Sequence, residues 1–322
     1  MSSTLGNLIS ALRLPFSFPN SFNRGTTTTK ITLMAPTTMT RFLTLATPPF
    51  FFLLLLFSSL PSILTSYRDW LALGRGGPPH NFLGFLVQST MGLLARSDVR
   101  AVPPPYYYRR RPRRRPSPGD EPEEADGVVD EAVVRAYAPH GRTSFLAPSS
   151  PLHPRDGPRP AVPAFVAPHR QTSMQGTPEM VGRMEAFLRR LVEEQEEAQP
   201  GGGGRLLEIK PSQLEGGRYP AIFVAEREGK MPPFMGIARR EIVHVHSEGS
   251  SHMTLSLVDG EEAVAKGWGE RHRLSGVNRV LPWSYTLLYA PQNDYEFEVW
   301  TRLVVAACRF VTGGKDIKMV RA

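Results

Sequence analysis

Proline is the residue that most limits where this chain can build a core. It occurs 31 times in 322 residues. Most copies fall in the first two thirds. From Val102 to Pro168 the chain is dominated by Pro, Arg, Ser and acidic side chains. Such a segment buries too little apolar surface to offset the entropy of ordering it. About 145 residues, from Thr177 to the end, then remain to form a sizeable core. The expected organisation is a basic Ser/Thr-rich leader (1–41), an apolar segment (42–67), a juxtamembrane stretch (68–100), a Pro/Arg-rich disordered linker (101–156) and one folded domain (157–322).

The net charge is +8, but the positive charge does not cover a folded face. Arg109, Arg110, Arg111, Arg113, Arg114 and Arg115 form one run, followed at once by Asp120, Glu121, Glu123 and Glu124. A solvated tether is the expected form, with attraction to anionic headgroups as the functional alternative and no nucleic-acid partner. No acidic residue precedes Asp69, and Phe42–Tyr67 carries no charge at all. A helix needs about 20 apolar residues to cross a bilayer. The segment is therefore expected to be a single-pass membrane helix. An acid-poor mitochondrial leader and a buried soluble helix are the alternatives. Asn81–Ala95 is apolar but short, and reads as an interfacial or packing helix.

The remaining pattern is that of an α+β domain, a mainly antiparallel sheet with flanking helices. Gly157–Ser173 is Pro-rich yet regularly apolar and should run extended, as a strap along the domain. Thr177-Pro178 opens a helix. Its apolar stripe is Met180, Met184, Phe187, Leu188, Leu191 and Val192. Strand-like runs follow at Arg205–Lys210, Tyr219–Glu226, Gly236–His246, Ser251–Val258 and Ser284–Ala290. A turn at Glu248 and Gly249 makes a hairpin of the third and fourth. Asp259 should cap a short helix ending at Lys266. A last helix from Asn293 to about Thr312 buries Phe297, Trp300, Val304, Ala307 and Cys308 or Phe310.

Half of the eight histidines lie within Glu241–His272. His244 and His246 are two apart on a strand and so point to one face. His252 opens the neighbouring strand, and His272 lies in the loop after Gly267-Trp268-Gly269. This spacing is open to three readings: a metal site, a metal-free polar pocket, or histidines that only hydrogen-bond within the fold. Among carboxylates only Glu241 and Glu248 have suitable spacing. Imidazole can act as a base near neutrality. Arg239, Arg240 or Arg271 can hold an anion, Trp268 can stack on a flat ring or plug the core under a tight turn, and Tyr289 can donate a hydrogen bond to an oxyanion or be a strand-end core residue. The lone cysteine, Cys308, sits in an apolar run and reads as a small buried side chain. The phosphate-loop, nucleophile-elbow and dinucleotide patterns are absent.

The strings REIVHVH (Arg240–His246), SHMTLSL (Ser251–Leu257), KGWGERHRLSG (Lys266–Gly276) and YTLLYAPQN (Tyr285–Asn293), in that order and spacing, resemble the fungal luciferase-domain family. YPAIFVAE, GPRPAVPAFVAPHRQ and RDWLALGRGGPPHNFLGFLV extend the resemblance upstream, to about two thirds of the chain. The resemblance implies oxidation of a hydroxylated, hispidin-type α-pyrone by molecular oxygen, through a peroxide that loses carbon dioxide. It implies no flavin, nicotinamide or ATP, and no metal or other cofactor is expected. His244, His246, His272 and Arg271 are the expected catalytic residues. Trp268, Tyr289, His252 and Arg240 are expected to bind a small aromatic substrate. The alternative is a membrane-tethered, non-catalytic domain that binds an aromatic ligand or a protein.

Overall fold

The computed structural model describes residues 58–109, 127–197, 205–226, 232–278 and 280–320. Two units are distinguished, Met1–Ala72 and Leu73–Ala322. In the first, residues 58–72 are helical. Most of the apolar segment 42–67, with its centre, lies outside the described residues. So do the leader and the arginine run beyond Arg109. Among the described residues no helix is long and apolar enough to cross a membrane.

The second unit is α+β. Its strands are β1 (Tyr107–Arg109), β2 (Gly127–Val129), β3 (Leu207–Pro211), β4 (Pro220–Val224), β5 (Glu241–Val245), β6 (Ser251–Thr254), β7 (Gly269–Arg271) and β8 (Tyr285–Leu288). Its helices are α1 (Phe82–Gly92), α2 (Glu131–Ala136), α3 (Pro178–Glu197), α4 (Leu257–Ala265) and α5 (Asp294–Val311). Strands β1 and β2 form a separate antiparallel pair, while the main sheet has the order β3-β4-β5-β6-β8-β7. Every ladder in it is antiparallel.

Helices α3 and α5 cover one face of this sheet. The expected apolar stripes of both are buried. Phe187 of α3 meets Trp300 of α5 edge-on, with ring centroids 5.9 Å apart. The Trp300 indole N–H donates to Ser251 Oγ on β6 at 2.9 Å, which ties α5 to the sheet. The starts of both helices are as expected. Thr177 Oγ1 accepts from the Met180 amide at 3.1 Å, and Asn293 Oδ1 accepts from the Glu296 amide at 2.9 Å. Each occupies an amide that the first turn leaves without an intrahelical partner.

Three local expectations change. Strand β5 begins at Glu241, because a 3-10 turn occupies Pro233–Ala238 and Gly236 and Arg239 both have positive φ. Strand β6 ends at Thr254, because Ser256 caps α4 by accepting from the Asp259 amide. Asp259 is therefore not the cap. Its carboxylate instead accepts from Ser144 Oγ at 2.6 Å and from the Phe145 amide at 3.0 Å. Gly269–Arg271, read as loop, is the edge strand β7.

The other face of the sheet is covered by chain from upstream. Residues 151–177 have no regular helix or strand, yet they are anchored along their length. Arg159 donates to the Gly269 and Val264 carbonyls, Gln171 accepts from the Ala290 amide, and the Gly176 amide donates to the Glu248 carbonyl. This is the strap. The segment after α1 also docks on the domain, through Arg96 N–H to the Arg273 carbonyl and Arg271 N–H to the Val99 carbonyl. Within 127–156, Tyr137, Leu146, Leu152 and Arg155 are buried.

Candidate functional site

Cross-strand pairing sets which side chains share the strap-covered face. Ala221 pairs with His244, His244 with His252, His252 with Leu287, and Leu287 with Glu270. Directly opposed residues point the same way, so these form one row across four ladders. The two-residue period adds His246, Tyr285, His272 and Tyr289 to the same face. Arg271 pairs with Thr286 and therefore points to the opposite face.

Glu241 joins this face for a specific reason. In an unbroken strand, residues three apart lie on opposite faces. Here Ile222 pairs with Val243 and Phe223 with Glu241, so Ile242 is an extra residue in β5. That bulge turns Glu241 to the histidine side. Its Oε1 accepts from His244 Nδ1–H at 2.6 Å and from Ser212 Oγ at 2.7 Å, and its Oε2 accepts from the Gln213 amide at 2.9 Å.

The histidines meet closely. His244 Nε2 lies 3.1 Å from His246 Nε2 and 3.3 Å from His252 Nδ1. His252 Nε2 lies 3.2 Å from Nδ1 of His169, which the strap delivers. Tyr285 stacks on His252 with centroids 5.1 Å apart. A carboxylate from the loop between β3 and β4 completes the group. Glu215 Oε1 is 3.7 Å from His246 Nε2 and 3.8 Å from His244 Nε2. Its Oε2 accepts from Arg170 of the strap. Beyond the ring of His246, Nδ1 is 2.8 Å from Ser250 Oγ, which itself donates to Glu248. All of these side chains are buried except Glu248, which is partly so.

The hairpin turn that carries Glu248 depends on Gly249. Its φ is +88°, and a Cβ there would stand 3.0 Å from the Ala290 Cβ and 3.2 Å from the Gly176 Cα. The turn thus places Glu248 and Ser250 beside His246 and also receives the end of the strap.

Burial governs the ionisation of the cluster. It depresses His246, and it depresses His252 and His272 strongly, with the neighbouring histidines adding to the effect. His244 is also disfavoured as a cation by burial. The hydrogen bond and charge of Glu241, with Glu215, outweigh that and raise its pKa. Burial would raise Glu215, but His246, Arg170 and His244 hold it low. Glu248 is likewise held low against burial, chiefly by His246. Glu270 is held low by His169 and Arg100.

The sequence-derived site residues divide into two groups. His244, His246 and His252 come together. Tyr289 joins them indirectly: its hydroxyl donates to Glu270 Oε2 at 3.0 Å, and Glu270 Oε1 is 3.6 Å from His169 Nε2. His272 lies beside His169 and His252, but both its nitrogens are engaged by backbone. Nε2–H donates to the Val166 carbonyl at 3.0 Å, and Nδ1 accepts from the Leu274 amide at 3.0 Å. Arg271, on the other face, donates to the Val99 and Ala101 carbonyls. Trp268 donates to the His153 carbonyl at 2.8 Å and packs near Tyr295. Arg240 donates to the Ala225 carbonyl at 2.9 Å. These last three are not brought to the histidines. His169, Arg170, Glu215, Glu270 and Tyr285 complete the cluster and were not singled out by sequence reasoning. The only prior signal for the strap pair was its position in an apolar, extended stretch.

Residues 239–307 match the family model described as Luciferase domain. Luciferases of Armillaria ostoyae and Neonothopanus nambi are 39% and 38% identical over 77 and 85 residues. The aligned parts make up 23% and 26% of this chain, and 29% and 32% of those proteins. The luciferase of Armillaria mellea is 38% identical over 85 residues, 24% of this chain and 32% of that protein. The chain thus spans about a third of the length of the curated relatives it matches. No solved structure matches it. The matched stretch is narrower than the two thirds that the upstream strings suggest. The family model contains β5 to β8 and most of α5, with His244, His246, His252, Glu270 and Tyr285, whereas His169, Arg170 and Glu215 lie outside it. Over residues 239–307 the chain is similar to the Luciferase domain and to the fungal luciferases.

Proposed function

We propose that this protein oxidises a flat, hydroxylated α-pyrone or a related aromatic polyketide with molecular oxygen, as a luciferase-type oxygenase. The observation that carries the reading is the coincidence of the matched segment with the buried polar face. The stretch similar to fungal luciferases supplies the row His244–His252–Leu287–Glu270. A buried group of imidazoles and carboxylates in a water-poor environment suits an enol that must lose a proton before it meets oxygen. Arg271 and Trp268 have no part in this version of the site, because they serve backbone carbonyls elsewhere.

The test is incubation of the full chain with a hispidin-type hydroxylated pyrone while oxygen uptake and light are recorded. Pyrone-dependent oxygen consumption that falls sharply in His252→Gln supports the reading. A well-folded protein that consumes no oxygen sinks it. Membrane attachment through residues 42–67 belongs to the same proposal. Extraction of cell membranes with alkaline carbonate tests it, and release of the full-length protein into the soluble fraction would refute it.

A further inference from the structure

We propose that His244, His246, His252 and Glu215 bind one divalent first-row transition-metal ion, through His244 Nε2, His246 Nε2, His252 Nδ1 and Glu215 Oε1. The inference stands on the geometry of this cluster and does not depend on the identity of the substrate.

The hydrogen-bond partners of the four rings fix where their protons sit. His244 Nδ1 is 2.6 Å from a carboxylate oxygen of Glu241, so Nδ1 carries the hydrogen and Nε2 presents a lone pair. Ser250 has one hydroxyl hydrogen, and its close contact with the Glu248 carboxylate claims it. Ser250 Oγ must therefore accept from His246 Nδ1–H, which leaves His246 Nε2 as a second lone pair. His169 Nε2 faces the Glu270 carboxylate at 3.6 Å. That favours the hydrogen on Nε2 and makes His169 Nδ1 an acceptor. His252 then donates from Nε2, and its Nδ1 presents a third lone pair.

Three lone pairs and an ionised carboxylate therefore point at one another. His244 Nε2 and His246 Nε2 are only 3.1 Å apart with no hydrogen between them on neutral rings. Such a contact is repulsive unless a positive centre occupies it. An ion bound tetrahedrally at about 2.0–2.1 Å from each nitrogen separates its ligand atoms by about 3.3 Å. The observed 3.1 and 3.3 Å fit that edge. The carboxylate at 3.7–3.8 Å needs a shift of a few tenths of an ångström to join.

The surroundings have the form that metal sites use. Each ligating ring is oriented through its second nitrogen, by Glu241, by Ser250 with Glu248, and by His169 with Glu270. Glu215 is oriented through its second oxygen by Arg170. Three imidazoles and one carboxylate suit zinc, iron, manganese, nickel or copper rather than calcium or magnesium. The neighbouring trio His169, His252 and His272 fails the same accounting. Both nitrogens of His272 are already used by the Val166 carbonyl and the Leu274 amide, so no lone pair is left to offer.

The experiment needs no substrate, so its failure is distinguishable from failure of the oxygenase reading. Full-length protein is purified from medium supplemented with zinc, iron and manganese, and its metal content is measured. About one equivalent is expected, because such a site binds in the folded state. His246→Ala and Glu215→Gln should lose the ion, and Glu241→Gln should weaken it by tenfold or more. His272→Asn and the remote His140→Ala should keep it, which excludes the other histidine trio. If a ligand variant fails to fold, chelator-treated wild type is titrated with Co2+. A ligand-field absorption with one-to-one saturation, displaced by Zn2+ and raising the melting temperature, gives the same answer. A folded wild type with no stoichiometric metal, no Co2+ band and no thermal shift with Zn2+ overturns the proposal. So does loss of the ion in His272→Asn with retention in His246→Ala. Either result would mean that a proton, not a metal, bridges the rings.

Discussion

Replacing Arg170 with Met should unfasten the strap at a predictable cost. Arg170 is 3% exposed and Glu215 is 5% exposed. The guanidinium pairs with Glu215 Oε2 and also donates to the Leu73 and Arg75 carbonyls, each at 3.0 Å. It further lies over the Tyr219 ring at 5.4 Å. Methionine retains most of the apolar stem and removes every donor. Removing one partner of a buried pair costs about 3–5 kcal/mol, because the other charge is left without compensation. The two carbonyls sit closer to solvent and can be rehydrated, so they add at most about 1 kcal/mol each. A loss of about 4 kcal/mol is expected, worth roughly 8–16 °C in melting temperature for a domain of this size. The assay is urea unfolding of chelator-treated protein, with Glu215→Gln and the double variant completing a cycle. The single losses should exceed the double-variant loss by more than about 1.5 kcal/mol. Glu215 has a folded pKa below its unfolded value. Its contribution is therefore present above the unfolded pKa and disappears as pH falls through the folded one, and the effect of Arg170→Met should shrink in acid. A loss under about 1 kcal/mol at neutral pH, or strict additivity in the cycle, would refute the view that this pair holds the strap.

Acid should weaken the chelator-treated fold earlier than carboxylate titration alone would. His252 and His272 have depressed pKa values in the fold, so they take up protons on unfolding at pH values below about 6.5. Stability should fall with decreasing pH at about 1.4 kcal/mol per unit for each ring, about 3 for both. His244, with a raised pKa, has the opposite sign and loses its contribution as pH rises through its folded value; urea midpoints that stay flat from pH 6.5 to 5 would contradict the assignment. Gly249→Ala should cost about 1–3 kcal/mol, from its positive φ and the 3.0 Å approach to the Ala290 Cβ, read as a lower melting temperature. Cys308 is fully buried and its thiol is pushed up to about 12 by burial. Iodoacetamide should leave the native protein unmodified and label it once after unfolding, as mass spectrometry would show.

How much of this was legible in the sequence follows from what is local. Helices α3 and α5 were readable because their stripes repeat every three to four residues and their caps adjoin them. His244, His246 and His252 were readable as a group because strand parity and a tight hairpin act over a few residues. Glu241 was legible only as a carboxylate near histidines. Its side depends on the bulge at Ile242, and a bulge leaves no periodic trace. Arg271 shows the same problem in reverse. Whether Glu270 or Arg271 faces the cluster depends on a one-residue choice of register, and β7 is too short to declare it. Glu215 had no signal at all, and His169 only its place in an apolar, extended stretch, since both arrive from irregular segments whose positions are set by tertiary packing.

That division bears on what the matched segment can do alone. Residues 239–307 bring three histidines together but supply neither the Arg170 that orients Glu215 nor the His169 that orients His252. Without His169, the His252 ring loses the partner that selects its tautomer, and its Nδ1 can donate to His244 instead. Without Glu215, the lone pairs of His244 and His246 face each other across 3.1 Å with no anion beside them. The chemically defined unit is therefore the strand row together with the strap and the β3–β4 loop. A fragment cut at the limits of the family match would keep the residues that make the resemblance and lose those that fix their protons.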